Sequence, residues 1–523
     1  MTRPTCFLSV DIGTGSARVG VFDDRGVLLG EAKAPIAQHR PFDHHVEQST
    51  TDIWRAICDS THRAVAQAGV EPAAVASMSV SATCSLVLLD QARAPLPLSP
   101  GDEMWNIIVW MDHRATKEAA ECTATGGAPL DNLGGVMSPE MQIPKLMWLK
   151  RQRPELYARI GYAADLGDWL GYHCTGIDRR SVCMLACKWT FDPRPDHGWD
   201  RDFLARVDMA DVIERAGLGE DAAAVGEPLG RLSERAAADL GLSTGCLFAV
   251  GMIDAYAGAM GTLGRSLDRD AAHRLAIIAG TSTCHIGAHP KRCEIPGVWG
   301  PYPGALCEGF VANEGGQSLS GALLDHIVAL FSAGSEFGDD PHGALSELLL
   351  ERLEGGDPAP DIHLRPDFIG NRSPLADPQI RGAIVGLTLE SPRESFIKVY
   401  WAAATALVYG TRAIIERMNH YGYAIDTLHL SGGHNRSPLL RKLYADGTGC
   451  RVVLSEAPEP VLLGAAVAAM APTHGGDLLA VARDLAPGEH ILEPDPATRA
   501  LHEARYRAFC ELFDGRLESG HRQ

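Results

Sequence analysis

The sequence predicts an α/β protein of two related domains that face each other across a cleft. Three observations predict it. The chain has 523 residues, which is too many for one ordinary core. Its first hundred residues alternate strand-like and helix-like patterns, and one glycine-rich hairpin pattern occurs twice. We place the boundary near residue 265, so that the predicted domains span residues 1–265 and 266–523.

The first hundred residues predict a mixed sheet with a helical crossover. The runs "FLSVDI" and "ARVGVFD" predict a hairpin, and "VLLGEAKAPI" predicts a third strand. The segment "STTDIWRAICDSTHRAVAQAG" predicts a helix that is capped by Ser49 or Thr50 and ends at Gly69. The segment "VASMSVSATCSLVLLD" then predicts a buried strand and the turn that follows it.

The hairpin pattern repeats in the second half of the chain. "IGTGSARVG" begins at Ile12, and the related "AGTSTCHIG" begins at Ala279. Gly-Thr falls at 13–14 and 280–281, and a later glycine falls at 20 and 287, so the internal spacing is the same. Each copy follows an apolar run. Similar hairpins at similar places in two halves predict two related domains.

Both hairpins could hold phosphate oxygens. Glycine-rich turns expose backbone N–H groups, and small hydroxyl side chains add donors without bulk. Each hairpin alone also fits an ordinary tight turn. The candidate phosphate-binding residues are Gly13, Thr14, Gly15 and Ser16 in the first hairpin, and Gly280, Thr281 and Ser282 in the second.

Asp11 strengthens the phosphate interpretation. A carboxylate next to a phosphate would be repelled unless a divalent cation stood between them. Mg²⁺ keeps several waters and binds one or two carboxylates together with phosphate oxygens. Asp11 is therefore predicted to hold Mg²⁺ through water, beside a nucleotide tail.

Two further features could carry chemistry. The strand "TLHLS" runs into Gly432 and Gly433, where a flat ring or a phosphate could approach the backbone, although a plain strand-to-helix turn fits equally. Asp254 follows the apolar strand "LFAVGMI" and precedes an Ala/Gly-rich helix. It could cap that helix, or it could act as a general base for a substrate hydroxyl at the domain junction.

Composition excludes several classes of partner. The net charge is −19 and the pI is about 5.5, which argues against a surface for nucleic acid or an anionic membrane. Thirteen scattered cysteines without C-x-x-C indicate reduced thiols and a cytoplasmic protein. A zinc site at Cys284, His285 and Cys293 is conceivable, although the spacing fits no common pattern. The apolar run "VLLGAAVAAMA" is too short to span a bilayer and predicts a buried helix.

Together the motifs resemble the FGGY carbohydrate kinases. The resemblance covers "DIGTGSARVGVF", "VGMIDAYAG", "AGTSTCHIG", "EGGQSLSG", "PDFIGNRSPLADPQIRG" and "LSGGHNRSPLL", in that order. It implies two actin/hexokinase-like (ribonuclease H-like) domains. The N-terminal domain would carry the sugar site and the first phosphate hairpin, and the C-terminal domain would bind the nucleotide. It also implies ATP and Mg²⁺ as cofactors, and a homodimer is possible.

The resemblance assigns roles to several residues. Asp254 matches the catalytic base, and Asp11 matches the acid that holds Mg²⁺ through water. Thr14, Gly280 and Thr281 match the phosphate hairpins, and Gly432 and Gly433 match the adenosine motif. The residues matched to the sugar pocket or its neighbourhood are Cys84, Asp112, Lys188 and Glu314.

Three of these matches have plainer alternatives. Lys188 could be a surface lysine beside a buried Trp189. Glu314 could cap the helix after "NEGGQS". Asp112 could only pair with Arg114 or cap a helix.

The sequence departs from the family pattern at two positions. Ser81 stands where related pentulose kinases usually carry Asp, which removes a carboxylate near the sugar pocket. Ser437 stands where the adenosine motif usually carries Asn, so either Ser437 substitutes for it or Asn435 reaches in from a shifted turn.

Segments such as "NIIVWMDHRA" and "GVWGPYPGALCEGFVANEGGQS" are similar to the D-ribulose branch of the family. The resemblance therefore implies ATP-dependent phosphorylation of D-ribulose to D-ribulose 5-phosphate. Two alternatives stay open. One is a kinase for another pentulose or a polyol, such as L-ribulose, xylulose or ribitol. The other is a non-catalytic sensor of ATP and sugar on the same fold.

Overall fold

Strands and helices alternate along the computed structural model of the chain, which describes residues 5–99, 104–485 and 488–514. The strands in these ranges are β1 Cys6–Ile12, β2 Ser16–Asp23, β3 Leu28–Pro35, β4 Glu47–Gln48, β5 Val75–Ala82, β6 Leu86–Asp90, β7 Ile107–Ile108, β8 Ile160–Asp165, β9 Pro228–Arg231, β10 Leu247–Ile253, β11 Arg274–Ala279, β12 Thr283–His289, β13 Trp299–Pro303, β14 Val311–Gln317, β15 His363–Arg365, β16 Ala383–Val385, β17 Thr427–Gly432, β18 Arg451–Ser455 and β19 Glu489–Leu492. The α-helices are α1 Thr50–Ala68, α2 Thr116–Thr125, α3 Ala128–Asp131, α4 Gln142–Gln152, α5 Pro154–Arg159, α6 Leu166–Thr175, α7 Val182–Lys188, α8 Arg201–Arg206, α9 Val212–Ala216, α10 Glu234–Leu240, α11 Asp254–Leu263, α12 Gly321–Leu330, α13 Pro341–Glu354, α14 Pro392–His420, α15 Pro438–Thr448, α16 Pro460–Met470, α17 Leu478–Asp484 and α18 Arg499–Asp514.

Two large mixed sheets share one strand order, apart from β13, which adds a seventh strand at the edge of the second sheet. The first is ordered β3-β2-β1-β5-β10-β9, and the second is ordered β13-β14-β12-β11-β17-β18-β19. In each, a hairpin (β1–β2 or β11–β12) is antiparallel, while its first strand pairs in parallel with a later strand, β5 or β17. Both hairpins are joined by three residues, 13–15 and 280–282. The repeat predicted from the sequence is thus a repeat of topology.

The remaining strands form two smaller, separate sheets. Strands β4, β7, β6 and β8 form a four-stranded sheet in that order, and β15 pairs with β16. The predicted early helix is confirmed as α1. The Ser49 hydroxyl accepts from the backbone N–H of Asp52 at 3.3 Å, and Gly69 ends the helix with φ 65°. Glycine takes this left-handed conformation without steric cost.

Helices α11 and α16 cross at the junction of the two halves. Both are rich in Ala and Gly, and α16 also packs on β1 and β5 of the first sheet. A Cβ built on Gly464 would lie 1.9 Å from Ala257 O, and one built on Gly261 would lie 1.9 Å from Pro460 O. The two glycines therefore allow the helix backbones to touch. The predicted buried helix is confirmed as α16, and among the described residues no helix has the length and apolarity needed to cross a bilayer.

We expect Gly464→Ala to destabilise the protein by about 1–3 kcal/mol, the usual cost of adding atoms to a packed core. The added methyl would meet a backbone carbonyl, which cannot move aside without separating α11 from α16. Urea unfolding measures the change. Gly355→Ala is the control, because a Cβ there would meet only Arg352 O at 3.4 Å. Equal midpoints for the two variants would contradict the close crossing.

Candidate active site

The carboxyl ends of three parallel strands bring the acidic residues of the first half together. Strand β5 pairs in parallel with β1 and with β10, and the register sets Ser81 beside Asp11 and Ala82 beside Ile253. Asp254 follows β10 directly. Parallel strands in α/β proteins place ligands at this edge. The fold therefore brings Asp11, Ser81 and Asp254 to one edge of the sheet.

Asp11 is a buried carboxylate that is held from two sides. Its Oδ2 accepts from Arg18 Nη2 at 2.5 Å and Nε at 3.0 Å, and its Oδ1 accepts from the Ser81 hydroxyl at 3.1 Å. Burial raises the pKa of Asp11, and the Arg18 guanidinium opposes that rise. Arg18 Nη1 also donates to Glu459 Oε2 at 2.6 Å, just before α16. One arginine thus connects the candidate metal anchor to the second half of the chain.

Asp254 is the first residue of α11, and Ile253 takes the N-cap position. Its Oδ1 accepts from the backbone N–H of Ala255 at 2.8 Å. Burial, followed by the negative charge of Asp11, raises the pKa of Asp254 to about 7, although the Ala255 hydrogen bond opposes this. A carboxylate with a pKa near neutrality is suited to take a proton and release it again.

The raised pKa predicts a pH dependence. If ionised Asp254 is the base, kcat/KM for the sugar should fall about tenfold per pH unit below 7 and level off above it. The direction follows because protonation below the pKa removes the acceptor. Initial rates between about pH 5.5 and 8.5 at saturating ATP measure the profile. A flat profile across this range would contradict the role of Asp254.

The first hairpin is held by three side chains that converge on Thr14. Trp110 Nε1 donates to the Thr14 hydroxyl at 3.0 Å, while Gln48 and Gln38 donate to its carbonyl at 2.7 and 3.1 Å. The Gly13 N–H donates to Ser16 O at 3.1 Å and closes the turn. Gly15 is exposed at the tip.

The second hairpin lies beside the glycine pair at the carboxyl edge of the second sheet. Gly280 and Thr281 are exposed, and Gly280 N donates to Ser282 O at 2.8 Å. Ala279 is in register with Gly432 in the parallel pair of β11 and β17. Gly432 has φ 79°, and a Cβ there would lie 2.2 Å from Ala279 O. Gly432 is thus needed for the close packing of β17 on β11. Gly433 is exposed, and its backbone can be approached by a ligand.

Asn435 and Ser437 differ in whether their side-chain oxygens already have a hydrogen-bond partner. Ser437 is the N-cap of α15, and its hydroxyl accepts from Leu440 N at 3.3 Å. Asn435 Oδ1 is buried and has no hydrogen-bond partner among the described residues. An acceptor of this kind suits a donor on a bound ligand. Of the two alternatives, the geometry favours Asn435.

Lys188 and Glu314 lie in one buried cluster. They are 3% and 4% exposed, so Lys188 is not a surface lysine. Glu314 is inside β14, and Ser320 takes the N-cap position of the following helix, so Glu314 does not cap it. Burial alone lowers the pKa of Lys188, but nearby acidic groups, among them Cys84 and Glu314, raise it overall. Lys188 therefore stays charged.

Cys84 is also buried, and burial raises the pKa of its thiol to about 12. The charge of Lys188 opposes this rise in the pKa, and the charge of Asp254 adds to it. The conceivable zinc ligands do not converge. Cys284 faces Arg372, whereas His285 Nε2 lies 2.9 Å from the Thr411 hydroxyl. Among the described residues, no group of three metal-ligating side chains could hold an ion.

Asp112 is fully engaged by neighbours. Its carboxylate accepts from the Arg114 side chain at 2.7 and 2.8 Å and from Val46 N at 2.6 Å. Arg114 also pairs with Glu47 at 2.9 Å. The structure shows the pairing of Asp112 with Arg114, while its place near a substrate stays a prediction. This pairing orients the loop that carries Trp110.

Sequence reasoning missed two arginines of the site. Arg18 lies in the quoted hairpin motif and Arg372 in the quoted motif "PDFIGNRSPLADPQIRG", but neither was assigned a role. Arg372 pairs with Glu314. An arginine within each motif could have indicated a site residue. Its acidic partner, however, is known only from the fold.

The comparisons with known proteins agree with this geometry. The family models of the FGGY family of carbohydrate kinases match residues 6–261 for the N-terminal domain and residues 275–472 for the C-terminal domain. The chain belongs to the FGGY family of carbohydrate kinases. It is a sugar kinase, and its two halves have the actin/hexokinase-like fold that the resemblance implied.

Curated relatives cover most of this FGGY kinase. An "FGGY carbohydrate kinase domain-containing protein" from Homo sapiens is 37% identical and covers 98% of this chain and 97% of its own length. A D-ribulokinase from Saccharomyces cerevisiae is 35% identical, with 86% of this chain and 69% of that protein covered. A ribulokinase from Mycolicibacterium smegmatis is 31% identical, with 86% and 81% covered.

Solved structures support the fold. A xylulose kinase from Rhodospirillum rubrum aligns with a TM-score of 0.80 at 22% identity, covering 97% of this chain and 98% of its own. A kinase from Brucella ovis, described as a "xyloylose kinase", aligns with a TM-score of 0.82 at 22% identity, covering 97% and 99%. At this identity the likeness shows the fold alone.

Proposed function

We propose that this FGGY kinase uses ATP to phosphorylate D-ribulose to D-ribulose 5-phosphate. The observation that carries the proposal is the 35% identity to a D-ribulokinase over 86% of this chain. The cluster of buried Lys188 and Glu314 with partly buried Asp254 supports it, because a cation and two carboxylates can together bind and activate the hydroxyls of a short sugar chain.

The residues of the two halves would act together on phosphoryl transfer. Asp254 accepts the proton of the attacking hydroxyl, while the sugar oxygen forms its bond to the γ-phosphorus and the bond to ADP breaks. Lys188 and Glu314 hydrogen-bond the remaining hydroxyls and orient the chain. Positioning and charge neutralisation supply most of the acceleration in such transfers.

The residues present fit ATP and Mg²⁺. The exposed turns at 13–15 and 280–282 offer backbone donors to phosphate oxygens, and the unpartnered Asn435 Oδ1 suits the exocyclic amine of adenine. Asp11 would hold Mg²⁺ through water, and the cation would neutralise charge on the phosphates. Arg18 already pairs with Asp11 in the structure and opposes the rise that burial causes in the pKa of this carboxyl.

A second candidate is a kinase for another pentulose, such as L-ribulose. The M. smegmatis relative is named a ribulokinase without a stated configuration. The Ser81 departure, which also left this alternative open, lies against Asp11. Replacing the usual Asp by Ser81 would therefore change the surroundings of Asp11, the candidate magnesium ligand, before those of the sugar.

A sugar panel tests the proposal. ADP release should be measured with D-ribulose, L-ribulose, D-xylulose and ribitol, and kcat/KM should be compared. We expect D-ribulose to exceed the others by at least about tenfold, as hydroxyl recognition allows. A higher value for another sugar would transfer the assignment to it. Sugar binding without ADP release would favour a non-catalytic sensor and contradict the kinase proposal.

A further inference from the structure

The loop at residues 366–382 brings one arginine into the sugar-site cluster. Arg372 is buried against β14, and a Cβ built on Gly316 would lie only 2.7 Å from Arg372 Cδ and Nε. Any other residue at this position would displace the arginine. The second glycine of the motif "EGGQ" thus makes room for the arginine of the motif "GNRSP".

The loop is fixed on both sides of Arg372. Asn371 donates to Asp367 Oδ1 at 2.9 Å and accepts from Leu375 N at 2.9 Å. A Cβ on Gly297 would lie 1.9 Å from Pro374 O, so the loop backbone presses directly on its neighbour. Arg372 is therefore oriented before any ligand binds.

Arg372 determines the surroundings of Glu314. Its Nη2 donates to Glu314 Oε1, which leaves Oε2 for a ligand. Its guanidinium lies 4.0 Å from the centre of the Trp299 ring, and Lys188 Nζ lies 4.4 Å from the same centre. Glu314 and the two cations are all nearly inaccessible to solvent. A planar guanidinium fixes both the charge and the plane of a carboxylate, which lysine cannot do.

We propose that Arg372 is the positioning residue that orients the Glu314 carboxylate as an acceptor for the hydroxyls of an open-chain sugar, and that this pair selects fully hydroxylated substrates. The inference rests on the proposed function and deepens it. A substrate without the matching hydroxyl would leave a buried carboxylate oxygen unpaired, and sites of this kind reject such analogues strongly. Deoxy analogues should therefore be poor substrates of the wild type.

The test compares Arg372→Met, Arg372→Lys and the control Arg505→Met. Arg505 is also a buried arginine that pairs with an acid, Asp357, and packs near a tryptophan, but it lies outside the site. For Arg372→Met we expect KM for the sugar to rise at least about tenfold, as for a lost buried charge partner, while KM for ATP changes less than about twofold. Arg372→Lys should be intermediate. Added guanidinium ion should partly restore Arg372→Met.

A double-mutant cycle with Glu314→Gln isolates the pairing. We expect Glu314→Gln to raise KM for the sugar much less in the Arg372→Met background than in the wild type, because the effects of two interacting residues do not add. Gly316→Ala, which displaces the arginine without removing its charge, gives a second route if Arg372→Met does not fold. It should also raise KM for the sugar.

The outcomes separate the two proposals. If the wild type phosphorylates D-ribulose while folded Arg372→Met has an unchanged KM for the sugar, that result contradicts only the role of Arg372. Additive effects in the cycle, or equal losses for sugar and ATP, also overturn it, because they indicate a general structural role. A wild type that phosphorylates no pentulose contradicts the proposed function, and this inference falls with it.

Discussion

Replacing Asp254 with Asn should lower kcat by at least about a hundredfold, the lower end for a lost general base, while sugar and ATP still bind. Asn keeps an oxygen that can accept from Ala255 N, so the start of α11 is preserved. What is lost is the carboxylate that we propose takes the hydroxyl proton. Steady-state kinetics with calorimetric binding of each substrate measures the two effects separately.

The same variant should not lose stability. The pKa of Asp254 is raised to about 7, well above its usual value. Between those two values the unfolded chain holds fewer protons than the folded one, so ionisation of this group weakens the fold as pH rises. Removing the charge removes that penalty. The melting temperature of Asp254→Asn at pH 8 should equal or exceed that of the wild type.

Asp168→Asn is the matched control. Asp168 is also a buried acid in the first turn of a helix, and burial raises the pKa of this group to about 8. Its Oδ1 accepts a hydrogen bond from Ser181 N at 2.8 Å, away from Lys188 and Glu314. We expect its kcat to stay within about twofold of the wild type, since it lacks a role in proton transfer. Equal losses in the two variants would show that burial of a charge, rather than base chemistry, explains the effect.

The sequence predicted those parts of the site that depend on local order. A glycine hairpin, a strand end and a helix start are set by neighbouring residues, so Asp11 could be placed at the end of β1 and Asp254 at the start of α11. That both lie at one edge of the sheet follows from the parallel register of β1, β5 and β10, which the structure supplies. The repeat added the second hairpin.

The parts that were missed depend on distant pairs. Arg18 and Glu459 are 441 positions apart, and Arg372 and Glu314 are 58 apart. Nothing in the local pattern links such residues. Packing of the two halves brings Arg18 to Glu459, and folding of the loop between β15 and β16 onto β14 brings Arg372 to Glu314. Asp112 shows that one motif can contain both partners of a pair. Arg114, two residues away, donates to its carboxylate, while the contact with the substrate that the motif implies stays a prediction.

Asp11→Asn should lower kcat/KM for MgATP by about 10–100-fold, the range for a lost partner of a metal-bound water, with little change in sugar binding. Asn keeps an oxygen for the Ser81 hydroxyl but removes the charge that we propose attracts the cation. The apparent Mg²⁺ requirement should therefore rise, which a titration of initial rate against Mg²⁺ at fixed ATP measures. Asp23→Asn is the control, since Asp23 lies at the other end of the same hairpin and accepts from Arg25 N and Val27 N.

The magnesium dependence is the decisive measurement because Asp11 has a second possible effect. Losing its charge also releases Arg18, which then pairs only with Glu459 across the two halves. A change in the position of Arg18 alone would lower kcat but leave the Mg²⁺ requirement unchanged. That result would assign Asp11 to the orientation of Arg18 and contradict its role as the metal anchor. A parallel rise in the Mg²⁺ requirement would place the carboxylate beside the cation.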